Sequence, residues 1–381
     1  MTEINDTLEG PPVLPPLPEL TEEQDDEVVQ ELLRIEPTTR DLRSTTYPDV
    51  HGLPWRSWNM RESVYKKHAR KYPTMARGLF TALDKGVHKV MIRGYDKFFN
   101  INETDQTQWH ALETETEGPY YVTAKENGCI IFITASNQDR VVVTSKHVVP
   151  SPQDDPHVHG GAGYNWLLKH LDAAGHTERD LASWLHDKHI TLVAELCDDA
   201  FEEHVLAYEP KDSGLYLHGI NFNSAAELHT LPSTTVQQVA KYWGMHPTEF
   251  VIFDTIDQVK EVANEIDTDG KFRGRAMEGV VIRCRRKDRD FLFKIKNDHY
   301  LIYREWREVT KQILHVDANG KAQLKPGVTV KVEKCKYGKT KDYLTWVRAR
   351  IVDHPEWFTE YKQNKGIIYV REQFERYWET R

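Results

Sequence analysis

Residues 123–128 read Thr-Ala-Lys-Glu-Asn-Gly and lie between two short segments, Tyr120–Thr123 and Cys129–Thr134, whose apolar and β-branched residues predict strands. Lys125 would be held rigidly there. Its amine can attack phosphorus only when it is unprotonated, so burial or neighbouring cations would have to lower its pKa. Gly128 would let the backbone approach a ligand closely, and Asn127 could hydrogen-bond a ribose hydroxyl. The same residues would also fit a hairpin with an Asn-Gly turn and a solvated lysine.

Three later segments combine strand-like sequence with charge. Glu195 ends an apolar strand, and Glu278 with Gly279 opens another. Carboxylate oxygens are ligands that Mg²⁺ prefers, although a solvated acid at a strand edge would look the same. Alternation places Lys294 and Lys296 on one face of a third strand. Two adjacent cations repel each other unless an anion lies between them, which suggests a phosphate; an exposed strand face is the alternative.

Two upstream elements add further charged residues. Arg93-Gly94 ends a β-branched segment, and Lys97-Phe98-Phe99-Asn100 follows it directly. Taken singly, each of these elements also fits a strand with a charged end.

The order of these elements is more specific than any one of them. A lysine followed by glycine, an acid on a strand, Glu-Gly before a strand and then Lys-x-Lys resembles the covalent nucleotidyltransferases, which include ligases and capping enzymes. Arg93-Gly94 and residues 97–100 resemble the RNA ligases of the phage RNA ligase 1 type. From about Pro54 to the C-terminus the chain is most similar to the ligase domain of fungal tRNA ligases.

This resemblance implies a role for each candidate residue. ATP and Mg²⁺ or Mn²⁺ would be the cofactors, and a base-stacking aromatic would fall near residues 214–218. The implied roles are Lys125 as the AMP-accepting nucleophile, Arg93, Lys97 and Lys146 near the ATP phosphates, Asn127, Gly128 and Gly279 at the nucleotide, Glu195 and Glu278 at ribose or metal, and Lys294 and Lys296 at the α-phosphate and the leaving pyrophosphate.

We expect an α+β fold with a ligase-type nucleotidyltransferase domain of mixed or antiparallel sheets. That domain would span residues 46–298, followed by a smaller, mainly helical, basic domain at 299–381. Residues 1–45 would form a flexible, acidic, proline-rich tail with at most one short helix near Val28–Leu33. Predicted helices are Glu62–Leu83, 161–188, Leu301–Leu314, Tyr343–Val352 and Val370–Trp378. Further predicted strands are Val87–Arg93, Arg140–Thr144, Ile190–Leu196, His204–Ala207, Gly279–Arg283 and Phe291–Ile295.

The charge is distributed unevenly. Residues 1–40 hold eleven acids and two bases, which equals the net charge of −9 for all 381 residues. Residues 281–350 hold 19 Lys or Arg against 8 Asp or Glu, which fits either a solvated basic face or a polyanion-binding surface. The four cysteines form no C-x-x-C pair, so we expect neither disulfides nor structural zinc. Asp154, Asp155, His157 and His159 could form a metal cluster or a plain polar loop.

The resemblance implies an ATP-dependent RNA ligase that seals tRNA exon ends through lysyl-AMP and RNA-adenylate intermediates. The ends would carry a 5′-phosphate and a 3′-hydroxyl, with a 2′-phosphate implied. Alternatives are a GTP-dependent guanylyltransferase of the mRNA-capping type and an inactive RNA-binding module. Gly338-Lys339-Thr340 lacks the upstream glycine of a kinase loop, and the two H-x-T triplets, His189–Thr191 and His246–Thr248, fall in the wrong elements for a phosphodiesterase. Other domains or proteins would therefore supply the kinase and phosphodiesterase activities. We expect an intracellular, soluble monomer without a membrane span, in the nucleus or cytoplasm.

Overall fold

The computed structural model describes residues 10–16, 22–67 and 71–381. The helices within these residues are α1 Glu22–Ile35, α2 Glu62–Lys67, α3 Trp109–Glu115, α4 His159–Ala174, α5 Glu178–Lys188, α6 Ser233–Tyr242, α7 Ile256–Asp269, α8 Asp298–Ile313, α9 Lys339–Asp353 and α10 Ile367–Glu379. The strands are β1 Leu42–Val50, β2 Leu53–Met60, β3 Ala76–Asp84, β4 Val87–Asp96, β5 Phe99–Asn100, β6 Glu117–Ala124, β7 Cys129–Ala135, β8 Val141–Thr144, β9 Ile190–Cys197, β10 Gly214–Phe222, β11 His246–Pro247, β12 Phe250–Phe253, β13 Lys271–Phe272, β14 Arg275–Ala276, β15 Gly279–Arg286, β16 Arg289–Lys296, β17 Leu314–Val316 and β18 Ala322–Leu324.

Three larger sheets organise the described residues before α8. Their strand orders are β1-β2-β3-β4, β11-β10-β9-β7-β8 and β12-β6-β15-β16-β5. Pairing is antiparallel except for β10 with β11 and β16 with β5. The mixed sheets and the separate helices confirm the predicted α+β class.

The predicted strands Cys129–Thr134 and Arg140–Thr144 form the β7–β8 hairpin, with Phe132 opposite Thr144. Ile131 and Ile133 lie on the face of this sheet that packs against α4 and α5, while Phe132 faces the core shared with β4. This alternation buries both faces of β7, since successive side chains of a strand point to opposite sides. The five-stranded sheet is therefore a fixed platform for the loop that carries Lys125.

A second core begins in α8. Trp306 stacks on Tyr343 of α9 with ring centroids 4.8 Å apart, and Phe374 of α10 meets both rings edge-on. The predicted C-terminal helices are present, and a β17–β18 hairpin accompanies them. We propose that residues 299–381 form the smaller domain expected from the sequence, because α8, α9 and α10 share this aromatic core.

Two secondary-structure predictions are wrong. The helix expected over Glu62–Leu83 is confined to α2, and Ala76–Asp84 is instead strand β3, paired with β2 and β4. Gly78 has φ +102°, and a Cβ there would lie 2.5 Å from the Phe132 ring, so close sheet packing overrides the helical pattern. His204–Ala207 is irregular rather than a strand.

The expected flexible tail also needs correction for residues 22–45. Helix α1 spans 14 residues and buries Val29 and Leu32 completely. Asp25 is buried as well and accepts a hydrogen bond from the Ala225 amide at 2.7 Å. The acidic composition of this segment suggested a flexible tail. Its few apolar residues nevertheless all lie on one face of α1, which makes the helix amphipathic and lets it pack against the protein. Most of residues 1–21 lie outside the described residues.

Within the described ranges, no helix is both long and apolar enough to cross a bilayer.

Candidate active site

Lys125 directly follows β6, at the point where this strand leaves its sheet. Its backbone amide donates to the Gly279 carbonyl at 3.0 Å, which ties the lysine to the first residue of β15. Glu278 precedes Gly279, and its Oε2 lies 2.5 Å from Lys125 Nζ. The Lys125 side chain is 28% exposed and that of Glu278 is 14% exposed. Lysine and acid therefore meet at the mouth of a pocket, although 153 residues separate them in sequence.

The Lys125 amine is charged in this arrangement. Burial disfavours the ammonium, but Glu278 and then Glu195 more than offset this effect and raise the pKa of Lys125 above its ordinary value. The sequence predicted a lowered pKa for this amine, whereas the two neighbouring carboxylates raise it.

Glu195 flanks the same lysine loop from β9. Its Oε1 accepts a hydrogen bond from the Gly128 amide at 3.2 Å, and its Oε2 lies 3.8 Å from His218 Nε2. Burial alone would raise the pKa of Glu195, yet His218 and Lys125 together lower it. Glu195 therefore stays an anion beside Lys125.

Gly128 and Gly279 serve the packing of strands. A Cβ on Gly128 would lie 2.0 Å from the Leu196 carbonyl oxygen. Gly279 has φ +142°, and a Cβ there would lie 2.1 Å from the Ile295 carbonyl oxygen. Both glycines were predicted at the nucleotide, Gly128 because it would let the backbone approach a ligand closely and Gly279 because the family resemblance implies it. The close approach is instead to β9 and β16, and it sets the spacing of the site.

Asn127 does not fit the predicted ribose contact. It is 4% exposed, and its Oδ1 accepts from the amides of Val205 and Leu206 at 3.1 and 3.0 Å. Its Nδ2 donates to the Tyr300 hydroxyl of α8 at 2.6 Å. Both ends of the amide are occupied by protein groups, so Asn127 anchors the lysine loop to the C-terminal core.

Arg93 was predicted to hold ATP phosphates, and the structure contradicts this prediction. The side chain is 0% exposed, and its guanidinium donates to the Ser224 and Gly94 carbonyls, each at 2.7 Å, and to Asp96 Oδ1 at 2.5 Å. These contacts fix β4 to a neighbouring loop. A guanidinium with every edge buried in protein cannot reach a nucleotide.

Three other cations surround one acid at the pocket. Lys97 Nζ and Arg77 Nε each lie 2.8 Å from Glu62, and Lys146 Nζ lies 3.7 Å from it. Burial would raise the pKa of Glu62, but hydrogen bonds from Lys97 and Arg77 hold it at about 2. Burial, together with the nearby Arg77, lowers the pKa of Lys146 to about 8. Arg77 was not predicted, because a single arginine within a strand belongs to no recognisable sequence motif.

Lys294 and Lys296 lie on the same face of β16, as predicted. Burial lowers the pKa of Lys294 to about 8, with Lys97 and Lys125 adding repulsion. Burial and then Arg304 lower the pKa of Lys296. Among the described residues, no acid lies within ion-pair distance of either lysine. This concentration of poorly compensated charge suits a polyphosphate.

The pocket formed by these groups has a volume of about 350 Å³. Its apolar and aromatic lining includes Phe98, Ile130 and Val281, and Tyr95 stacks on His218 with ring centroids 5.8 Å apart. A register shift in β10 at His218 re-aims this side chain into the pocket. His218 belongs to the 214–218 segment predicted to hold a base-stacking residue, whereas Tyr216 stacks on His246 instead. Because of this register shift, the His218 ring lines the pocket and the Tyr216 ring does not.

The chain is similar in sequence to RNA ligases. A family model described as RNA ligase matches residues 75–301. The chain is 39% identical over 343 residues to tRNA ligase 1 of Schizosaccharomyces pombe and 36% identical over 371 residues to the tRNA ligase of Candida albicans. These alignments cover 84% and 91% of the chain but only 42% and 43% of the relatives, so it spans less than half their length.

Solved structures show the same fold. Two forms of an archaeal ATP-dependent RNA ligase superpose with TM-scores of 0.52 and 0.51 at 13% sequence identity. Each superposition covers 91% of this chain and 80% of the archaeal chain.

Proposed function

Because the chain belongs to the RNA ligase family, we propose that it seals RNA with ATP through an AMP adduct on Lys125. The observation that carries this proposal is the position of Lys125. It lies between two carboxylates, at the mouth of a pocket whose other charged groups are mostly cations. We also propose the division into a nucleotidyltransferase domain at 46–298 and a smaller domain at 299–381, together with a role for each residue of the site.

In the first step, Lys125 Nζ attacks the α-phosphorus of ATP. A nitrogen–phosphorus bond forms, the bond to the bridging oxygen breaks, and pyrophosphate leaves. Because Lys125 starts as an ammonium, it loses two protons: Glu278, whose Oε2 is 2.5 Å away, takes the first before the attack, and the second leaves with the pyrophosphate as the new bond forms. Lys294 and Lys296 offset the charge that develops on the phosphates, while Lys97, Lys146 and Arg77 hold the leaving pyrophosphate.

The next two steps use the same cations. An oxygen of the RNA 5′-phosphate attacks the phosphorus of lysyl-AMP, so the nitrogen–phosphorus bond breaks and Lys125 regains its amine. The 3′-hydroxyl of the other strand then attacks the adenylated 5′-phosphate and AMP leaves. Tyr95, Phe98 and His218 would contact the adenine, since stacking rings bind any base face.

Glu278 and Glu195 fit a hard divalent cation such as Mg²⁺ or Mn²⁺. Both present carboxylate oxygens beside the phosphate-binding lysines, and Mg²⁺ usually takes few protein ligands while keeping several waters. Such an ion neutralises phosphate charge when bound. Pairing Glu278 with a cation would also release Lys125 from its ion pair.

For the RNA we propose tRNA exon halves with 5′-phosphate and 3′-hydroxyl ends, and we carry over as part of this proposal the 2′-phosphate preference that the sequence resemblance implies. The basic stretch 281–350 supports contact with RNA phosphates. Within it, exposed Arg304 lies close enough to Lys296 to lower its pKa. Kinase and phosphodiesterase activities would come from other domains or proteins.

The decisive experiment incubates the protein with α-labelled ATP and Mg²⁺ and maps the labelled peptide. We expect an acid-labile, alkali-resistant phosphoramidate on Lys125 and no label on Lys125→Ala. Lys334→Ala, which removes an exposed C-terminal lysine, is the matched control and should label normally. Label from GTP alone would indicate a capping-type enzyme, and label from neither nucleotide would indicate an RNA-binding module.

A second experiment compares three RNAs. One has 5′-hydroxyl and 2′,3′-cyclic phosphate ends, the second has 5′-phosphate and 2′-phosphate/3′-hydroxyl ends, and the third has 5′-phosphate and plain 3′-hydroxyl ends. We expect the second to join best and the first not at all. Equal joining of the second and third would remove the 2′-phosphate preference and leave the ligase proposal intact.

A further inference from the structure

Three segments that are distant in sequence bring metal-binding side chains together behind the lysine loop. Cys129 opens β7, His159 is the first residue of α4 and Glu202 lies in the loop after β9, and the ligand atoms of these three all lie within 4.8 Å of one another. His204, in the same loop as Glu202, adjoins both Cys129 and Glu202. Only His159 of this set belongs to the 154–159 segment in which the sequence suggested a metal cluster. Asp155 of that segment instead accepts a hydrogen bond from the His157 amide at 3.0 Å.

The separations between the four side chains resemble those of a tetrahedral ligand set. His159 Nε2 lies 3.2 Å from Glu202 Oε2, and His204 Nε2 lies 3.6 Å from Glu202 Oε1. Cys129 Sγ lies 3.5 Å from His204 Nε2 and 4.0 Å from Glu202 Oε1. Zinc bonds of about 2.0–2.3 Å at tetrahedral angles separate their ligand atoms by roughly 3.3–3.6 Å. The His159–Glu202, His204–Glu202 and Cys129–His204 separations fall within about 0.1 Å of this range.

Hydrogen bonds explain the proximity of only some of these side chains. The His159–Glu202 contact is a good one, but the Cys129 thiol finds only a distant carboxylate oxygen and a ring nitrogen. Burial raises the pKa of this thiol, with Glu202 and Glu195 adding to the effect. The Phe201 ring meets the His159 ring edge-on at 5.4 Å and fixes its orientation. His159 is 44% exposed, so the cluster is open to solvent on one side.

We propose that Cys129, His159, Glu202 and His204 bind one Zn²⁺ ion. A thiolate with two imidazoles suits zinc and disfavours Mg²⁺, which takes oxygen ligands, so this site is distinct from the acids beside Lys125. The ion joins the start of β7 to α4 and to the loop after β9. The neighbouring Gly128 amide holds Glu195, so zinc also stiffens the floor of the active site.

The test uses the full chain, stripped of metal and titrated with Zn²⁺ against a chromophoric chelator. We expect one tight equivalent, with at least about 100-fold weaker binding in Cys129→Ser and in His159→Gln. Cys335→Ser is the matched control, because it removes another partly buried thiol outside the cluster, and it should bind as the unchanged protein does. Far-ultraviolet circular dichroism verifies that each variant is folded.

Two further measurements on the unchanged protein do not depend on variants. Co²⁺ should give a tetrahedral spectrum with a sulfur-to-metal charge-transfer band, and Zn²⁺ should protect Cys129 from alkylation and raise the melting temperature. Zinc that binds Cys129→Ser as tightly as the unchanged protein would show an adventitious ion only and overturn the proposal. So would a Co²⁺ spectrum without a sulfur band, or alkylation of Cys129 that zinc leaves unchanged.

Discussion

The pocket and the C-terminal helices are both rich in cations, but they differ in how those cations are compensated. In the pocket, Lys97, Lys146 and Arg77 share one acid, Glu62. In the C-terminal region each of several cations has its own partner. Examples are Lys336 with Asp298 at 2.7 Å, Arg350 with Asp353 at 3.0 Å, Arg381 with Asp342 at 3.2 Å and Lys339 over the Trp378 ring at 4.9 Å.

This difference shows that the number of charges does not locate an anion site. Residues 299–350, which follow the pocket strands, hold 12 Lys or Arg against 5 Asp or Glu, yet many of these side chains already have acidic or aromatic partners. The pocket holds fewer cations at closer range, and burial with mutual repulsion depresses the pKa of Lys294 to about 8. A bound polyphosphate would relieve that repulsion, whereas a C-terminal ion pair gains little from it.

The largest effect is expected at Glu278. Glu278→Ala should lower the rate of AMP transfer to the protein by at least about 100-fold, because the group beside Lys125 that takes a proton or a divalent cation is lost. Glu278→Gln should still bind ATP but transfer slowly. Asp342→Ala, which breaks a C-terminal ion pair, is the control and should stay within about twofold. Normal transfer by Glu278→Ala in single-turnover labelling would contradict its role.

Lys294→Ala should come next, with a loss of roughly 100-fold in the same assay, since the α-phosphate loses a preorganised charge. Lys336→Ala removes an equally cationic side chain that is paired with Asp298 and should have little effect. If Lys294→Ala and Lys336→Ala lost AMP transfer to a similar extent, the pocket cations and the paired C-terminal cations would not differ in function. Circular dichroism of both proteins would then show whether misfolding is the cause.

A pH series gives an effect of intermediate size. Lys294 and Lys146 have pKa values of about 8, so they are charged below that pH and lose their protons above it. The Kd for ATP should therefore be flat from pH 6 to about 7.5 and rise up to roughly tenfold per unit above 8. Lys294→Arg combined with Lys146→Arg keeps the charge and should flatten the rise, as binding titrations would show. A wild-type Kd independent of pH up to 9.5 would refute this assignment.

The smallest effect is expected at Glu62, which competes with phosphate for three cations. Its pKa of about 2 keeps it charged at any working pH. Glu62→Gln should tighten ATP binding by roughly two- to fivefold, a modest change because the side chain is half exposed. Glu372→Gln, near two arginines of α10, is the control and should leave the Kd unchanged. Weaker ATP binding by Glu62→Gln would mean that this acid orients the cations instead.

The sequence located much of the site because its functional residues lie next to strands with strong patterns. Lys125, Glu278, Lys294 and Glu195 were found in this way, and the structure places all four at or beside one pocket. Arg77, Tyr95 and Arg283 were missed, since each is a single residue within an apolar or mixed strand. Arg93 was misassigned for a related reason: an arginine buried against carbonyls reads in sequence like one that faces a phosphate.

Order along the chain determined the family, the α+β class and the candidate nucleophile, because strand periodicity and motif spacing are local properties. Tertiary structure alone decided which polar groups remain free for a ligand. In the folded chain Asn127 donates a hydrogen bond to Tyr300, Arg93 is fully buried, and Lys336 forms an ion pair with Asp298. The fold also brings Cys129 close to His159, Glu202 and His204. The physical reason is that hydrogen bonds and ion pairs are satisfied across the fold, between atoms whose proximity no sequence spacing encodes.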